Sequence, residues 1–356
     1  MNVEVVKDTA CLVTLPVELV DPDETSYLQE CSPDKIGNIP VILLDFINVT
    51  RMNGLGATML VKLQALARRQ GRRLYAFGTD KHRRNVFKAT GLNRAIPVFE
   101  KKKAAQMAAG LDPKNFTGHG NTPVPPTDTH YWARPVSALD IPPMPAEAIN
   151  LNMQGRRVVG PVDGFGPLWQ KRYRLHIAGT GTTPQEVITT LKDRFPSFQP
   201  PYNRFYPSHN GIRPGEVVLI DSKTPGGTVS TGVMVLYADE TSFTFITPQG
   251  HPESGWVTFS AWVEGGNTIV QVLGLARAND PVYEAAFRFA GSAMQVRIWS
   301  YLLTALAGYL GVPADVSVEP VCIDKTLQWS QAGNIWYNAQ IRTLLHSPVR
   351  LFSRKS

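Results

Sequence analysis

The first hundred residues alternate between short apolar runs and helical periodicity. Cys11 to Leu15 and Ile39 to Phe46 read as strands, and the second is an almost unbroken apolar run. Such a run suits a strand covered on both faces. Between them, Asp21 to Ile36 is a helix candidate with acid at its start. After Asn53-Gly54-Leu55-Gly56, residues Leu60, Leu63, Leu66 and Ala67 keep helical spacing, and Gly71 closes the helix. Arg73 to Phe77 predicts a strand. Thr79 or Asp80 then caps a short helix through Val86 and Phe87 that ends at Gly91, and Ala95 to Phe99 predicts a last strand. Strand and helix alternate, so a mixed α/β sheet with flanking helices is expected over residues 1–100.

Prolines such as Pro123, Pro125, Pro126, Pro142, Pro143 and Pro145 break the pattern over residues 101–163. This stretch is expected to be an extended linker, with Tyr131 and Trp132 as signs that part of it docks. Periodicity returns over residues 164–356. Trp169 to Ala178 predicts a strand, and Thr183-Pro184-Gln185-Glu186 is a capping box that starts a helix to about Phe195. Five strand-like segments follow: 216–220, 232–237, 242–247, 256–264 and 268–276. The turns between them signal an antiparallel meander. A long helix is expected from Asp280 to about Tyr309, with a kink at Gly291. A further helix is expected from Lys325 to Leu345, interrupted near Gly333.

The chain has 356 residues, room for two domains, and 43% of them are hydrophobic. Its three cysteines, Cys11, Cys31 and Cys322, are far apart. A disulfide framework and a zinc knuckle are not expected, and a reducing cytoplasm fits. The start shows no signal-peptide pattern, and the longest apolar run, near Tyr301 to Val312, falls short of a membrane span. The net charge of +7 is uneven: thirteen basic residues and two acids lie between Lys62 and Lys103. Arg68, Arg69, Arg72, Arg73, Arg83 and Arg84 could steer an acidic partner or surface, or form a plain solvated helix face. Nucleic acid is not the expected partner.

The run Val41-Ile42-Leu43-Leu44-Asp45-Phe46, followed by Val49-Thr50-Arg51-Met52-Asn53-Gly54-Leu55-Gly56, resembles the STAS fold of anti-sigma-factor antagonists. The resemblance continues through Arg72-Arg73-Leu74, Val86-Phe87 and Gly91-Leu92, and covers residues 1–100. It implies a module that contacts a protein partner, with Arg51, Asn53, Gly54, Arg83 and Arg84 as partner-binding candidates. In the antagonist branch a serine of this loop is phosphorylated. Here Asn53 stands in its place and Arg51 replaces the acid, so the resemblance does not extend to a phosphoryl switch. What remains is a glycine turn opening a helix whose N–H groups could meet an anion or a carboxylate.

Residues from about Gly155 to Leu345 resemble a bacterial and plant family without an agreed activity, placed near the START-like (helix-grip) proteins. The motif is Thr247-Pro248-Gln249-Gly250-His251-Pro252-Glu253-Ser254-Gly255, with the leader Gly160-Pro161, Gly164-Phe165-Gly166 and Trp169. The resemblance implies an α+β fold in which a curved antiparallel sheet wraps a long C-terminal helix and leaves a cavity for an apolar guest. Phe245, Phe259, Phe287, Met294, Ile298 and Leu302 are the ligand-cavity candidates. Phe287, Met294, Ile298, Leu302, Ala305 and Tyr309 share one helix face, the pattern of a filled core or of a cavity wall.

Hydrolase, Walker and dinucleotide motifs are absent. The histidines make no metal-ligand pair, so neither metal nor cofactor is expected. His251 and Glu253, beside Ser254, are candidates for acid/base work or else ordinary hairpin polar groups. Arg277, Asp280 and Glu284 suggest a helix cap with an ion pair, and Trp329 and Trp336 suggest packing anchors. The expectation is a cytoplasmic, non-enzymatic binding and regulatory protein. Its rivals are a cyclase-like enzyme acting in the cavity and a scaffold using both domains as contact surfaces. Polar groups converging on a roomy pocket would favour the enzyme.

Overall fold

The computed structural model describes residues 2–6, 9–21, 29–31, 33–116, 122–145, 148, 150–179, 181–288 and 292–353. Side chains within 33–34, at 292 and from 347 onward are excluded. The chain divides into two compact units, Met1–Pro135 and Val136–Ser356.

In the first unit, strands β1 (Asn2–Val6), β2 (Ala10–Thr14), β4 (Val41–Asp45) and β6 (Arg73–Phe77) form one sheet in that order. β1 is antiparallel to β2, while β2, β4 and β6 are parallel. A two-residue pair, β3 (Glu18–Leu19) and β5 (Arg51–Met52), lies apart from this sheet. The helices are α1 (Pro33–Ile36), α2 (Gly54–Arg69), α3 (Lys81–Thr90) and α4 (Lys102–Ala109). Both faces of the sheet are buried, as an unbroken apolar β4 requires. Ala10, Leu12, Val41, Leu43, Tyr75 and Phe77 share one core with Ala105 and Ala109 of α4. Alternation sends Cys11, Val13, Ile42, Leu44 and Ala76 to the other face, where they too are buried.

Three local features bear on the expectations. The strand foreseen at Ala95 to Phe99 is a single parallel bridge, Ala76 to Val98. Residues 22–28 and 32 of the helix candidate Asp21 to Ile36 lie outside the described residues, and α1 is its described end. The proline-rich stretch is not a bare tether at its start. α4 is part of the first unit's core, and Trp132 is buried with its Nε1–H donated to Met52 O.

The second unit is built on a nine-stranded sheet. Its strands are β7 (Val158–Val159), β8 (Leu168–Ile177), β9 (Asn203–Pro207), β10 (Val217–Thr224), β11 (Gly227–Ala238), β12 (Ser242–Pro248), β13 (Glu253–Glu264), β14 (Asn267–Ala278) and β15 (Val316–Asp324). The order is β15, β8, β14, β13, β12, β11, β10, β9, with β7 paired to β12. Every pairing is antiparallel. β1, β3, β5, β7, β9 and β15 are strands beyond those expected from pattern alone.

Helix α5 (Pro184–Arg194) starts at the expected capping box: Thr183 N donates to Glu186 Oε2 and Glu186 N to Thr183 Oγ1. The expected 280–309 helix is described as α6 (Pro281–Ala286) and α7 (Ser292–Leu310), and Gly291 lies outside the described residues. Trp299, Leu302, Leu303, Leu306 and Ala307 of α7 share the core with inward side chains of the sheet and with Val187, Ile188 and Leu191 of α5. The tail is a 3-10 helix over Trp329–Tyr337 and then α8 (Ala339–Ser353), so the break falls at Asn338 and not at Gly333. Trp329 and Trp336, read as packing anchors, are 71% and 82% exposed, and Trp329 packs edge-on against Phe165 at 5.2 Å between centroids.

Candidate functional site

Pairing register arranges the inward side chains of the second unit in rows. Phe243, Phe259, Val272 and Tyr173 form one row; Phe245, Val257, Gly274 and Lys171 the next; Gly255, Ala276 and Trp169 the one after. Side chains two residues apart along a strand share a face, so each strand contributes to successive rows. The first row is packed solid. Phe243 stacks on Phe259 at 4.6 Å between centroids, and Phe195, Phe245 and Trp299 meet Phe259 edge-on. Two rows further on, glycine and alanine replace the large side chains, and the floor drops away.

There a cavity of about 440 Å³ opens, lined by Phe205, Val229, Val233, Phe245, Val257, Phe287, Met294 and Ile298 among others. Of the expected cavity residues, Phe245, Phe287, Met294 and Ile298 line it. Phe259 and Leu302 do not; both are completely buried in the packed core.

The cavity has a polar end beside α7, and Asn203, Ser222, Thr224, Thr231 and Gln340 also line it. His251 and Glu253 line it with Gln295 of α7. Gln295 Nε2 donates to Glu253 Oε2 at 3.0 Å, and Lys171 Nζ donates to Gln295 Oε1. Glu253 N lies 3.0 Å from His251 Nδ1, and the same ring nitrogen lies 3.1 Å from Glu253 O. Burial pulls the His251 imidazole down to about 4, against a weaker opposing effect of the Glu253 backbone, so it is neutral at pH 7. Burial raises Glu253, opposed by Lys171 and the Gln295 hydrogen bond. Burial lowers Lys171, opposed by Glu253. Ser254, the third member of the expected cluster, turns away: its hydroxyl donates to Gly160 O.

The residues around α6 are structural. Asp280 caps the helix, accepting from Val282 N and Tyr283 N. Arg277 pairs with Asp324 and also donates to Gly166 O and Thr326 O, while Glu284 pairs with Arg288. Lys171 and Gln295 were not among the expected site residues. Trp169-x-Lys171-x-Tyr173-x-Leu175 places Lys171 on the inward face by parity alone, a signal available in the sequence.

In the first unit, the expected contact residues are largely enclosed. Asn53 is 4% exposed, and its Oδ1 accepts from Leu55 N and Gly56 N. The N–H groups thought open to an anion are therefore already used. Gly54 is buried, and Gly56 has no room for a Cβ because Leu19 O would lie 2.3 Å from it. Arg83 is 4% exposed and donates to Val124 O, and Arg72 is buried and donates to Gly37 O. Arg51 and Arg84 are half-buried, the latter on Thr79 O and Glu100. The chain at 124–132 covers this loop. Asp128 Oδ2 accepts from Met52 N, and its Oδ1 lies 3.1 Å from His82 Nε2. Arg68, Arg69, Lys81 and Lys88 remain exposed. Burial pushes Cys11 to about 11 and Cys31 to about 12, which leaves both as thiols near neutrality.

Among the described residues, no group of three or more His, Cys, Asp or Glu is placed to hold a metal, and no helix is long and apolar enough to cross a membrane. No protein-family model and no curated protein matches the chain. Solved structures similar in part include a di-domain ARO/CYC from the steffimycin biosynthetic pathway, at 13% identity and TM-score 0.32 over 41% of this chain and 53% of that one. This chain thus matches about half the length of that protein. An anti-sigma factor antagonist of Thermotoga maritima is similar at 14% identity and TM-score 0.27, over 31% of this chain and 93% of its own. Ara h 8.0201 is similar at 14% identity and TM-score 0.28, over 40% of this chain and 97% of its own.

Proposed function

We propose that the second unit is a helix-grip ligand holder for an apolar small molecule, and that the first is a STAS-like module that contacts a protein partner. The observation that carries the first half is the cavity of about 440 Å³ with its mainly apolar wall. That is within the size range of small-molecule sites, which run from roughly 300 to 1,000 Å³. The wall combines side chains of the sheet with Met294 and Ile298 of α7, the element a helix-grip fold places across its sheet. The His251 imidazole, neutral near pH 7, and the Gln295 amide at the polar end suit an uncharged guest. For the first unit, support comes from its mixed sheet, from the order of elements behind the resemblance, and from the exposed cations of α2 and α3.

A second reading, a cyclase-like enzyme, is favoured by Glu253 and His251 both lining the cavity's polar end. A carboxyl raised by burial beside a neutral imidazole is a workable acid/base pair.

Native mass spectrometry of full-length protein, purified gently from its source, tests both readings. A retained apolar molecule is expected. Met294→Trp should fill the cavity and abolish retention while the melting temperature stays within a few degrees. Retention undiminished in Met294→Trp, or a loss of roughly 1–3 kcal/mol as in an overpacked core, would remove the cavity from the account. Conversion of the retained molecule that stops in Glu253→Gln would establish the enzyme.

A further inference from the structure

A second cavity, of about 240 Å³, lies against the first. Glu253, Gly274, Ala276, Phe287 and Gln295 line both. The smaller one is the more polar: Lys171, Arg277, Glu284 and Arg288 complete it with Trp169. Two of its charges are already spoken for. Arg277 is tied to Asp324, and Arg288 donates to Glu284 at 2.8 Å. Lys171 and Glu253 stand differently, because Gln295 bridges them: it accepts from the ammonium and donates to the carboxylate. Among the described residues, no other hydrogen bond to Lys171 Nζ or to the Glu253 carboxylate is recorded.

Gly274 marks the passage. It is mid-strand, opposite Lys171 on one side and Val257 on the other, where a side chain would be expected to pack. A Cβ built there meets nothing nearer than 3.9 Å, from Gln295 Nε2 and Lys171 O. No backbone contact demands glycine at this point. A glycine inside a strand without such a demand is the mark of a site kept clear for a ligand.

We propose that the two cavities are one bipartite site for an elongated apolar alcohol, its carbon skeleton in the larger cavity and its hydroxyl end passing over Gly274 to Lys171 and Glu253. This rests on the ligand-holding reading above and adds the chemical class. A hydroxyl both accepts and donates, so it can accept a hydrogen bond from the Lys171 ammonium and donate one to the Glu253 carboxylate. A carboxylate end would face Glu253, and an ammonium end would face Lys171. An alcohol meets each of them with the complementary half.

Fluorescence titration of the full chain with two probes tests this: naphthalene, and naphthalene carrying a hydroxypropyl arm. Wild type should bind the armed probe about tenfold more tightly, the scale of one well-made hydrogen bond. Gly274→Val should bind both probes alike, because the armed probe loses its tenfold advantage. Lys171→Met should likewise lose the preference, and it guards against a folding defect particular to Gly274→Val. A preference that survives both substitutions overturns the bipartite site. So does equal loss of both probes in Gly274→Val, which would mean that the side chain only shrinks the larger cavity. If wild type binds both probes equally, the bipartite site falls and the ligand-holding reading stands. If wild type binds neither, both fall.

Discussion

The inner face of the large sheet has a packed end and a hollow end, built from the same strands. β13 runs Glu253, Gly255, Val257, Phe259, Ala261 along that face, and β14 runs Ala276, Gly274, Val272, Val270 beside it. At the Phe259 and Val272 end, aromatic and branched side chains interlock with Trp299 and Leu302. At the Gly255 and Gly274 end, the sheet continues with its hydrogen bonds unbroken, but side-chain volume is withheld. The backbone ladder is indifferent to what it carries. A cavity can therefore be opened by side-chain size alone, with no change of topology.

The largest effect expected from this contrast is on stability. Phe259→Ala at the packed end should cost about 3–5 kcal/mol, the usual range for a fully buried phenylalanine. Phe287→Ala, on the cavity wall, should cost less than about half of that, because one side of the ring already lacks partners. Urea unfolding of the two variants measures the difference. Equal losses would mean that the hollow end is packed in solution.

An intermediate effect depends on pH. The folded-state pKa of His251 is depressed from 6.5 to about 4. The unfolded chain therefore binds this proton more readily than the folded one. The stabilisation is full above about pH 6.5, declines as pH falls, and is lost near pH 4. A shift of this size is worth up to about 3 kcal/mol at 1.36 kcal/mol per unit. Glu253 is raised, so its contribution has the opposite sign: it is present at low pH and lost as pH rises above the ordinary carboxylate range. The difference between wild type and His251→Asn across pH 4–7 isolates the histidine. A flat difference curve would place His251 in contact with water.

Much of this contrast was legible in the sequence, and the remainder has physical reasons. Val233, Val235, Phe243, Phe245, Phe259, Val270 and Val272 alternate plainly, and all of them belong to the core. Alternation reports which face a residue occupies, not whether a partner fills the space across from it. For that reason Phe259 and Leu302 read as cavity residues although they lie in the packed end. Lys171 and Gln295 escaped because a lysine in a strand and a glutamine in a helix usually face water. Edge strands β9 and β15 carry Pro207 and Pro320, which blur the pattern. Helix α4 was hidden because its lysine-rich start merges with the proline stretch that follows. In the first unit, Asn53 and Gly54 read as a surface loop, and nothing local announced that residues 124–132 cover it.

The smallest effect is the most discriminating, because two glycines, Gly274 on the inner face and Gly232 on the outer face against Met153, predict opposite signs. Gly232 and Gly274 are both strand-interior glycines of the same sheet. At Gly232 a Cβ would lie 2.4 Å from Val218 O, so Gly232→Ala must push backbone apart. Overcrowding of that kind costs roughly 1–3 kcal/mol. At Gly274 a Cβ has its nearest neighbours at 3.9 Å. There the added methyl reaches only ordinary van der Waals contact, and the chain gains the conformational advantage of alanine over glycine, about 0.5–1 kcal/mol. Gly274→Ala should therefore raise the thermal midpoint while Gly232→Ala lowers it. A glycine that could be replaced with a gain in stability is one that stability alone does not explain. Its use must be the space it leaves. If Gly274→Ala instead destabilises the protein, that space is filled in solution, and the hollow end is no more a binding site than the packed one.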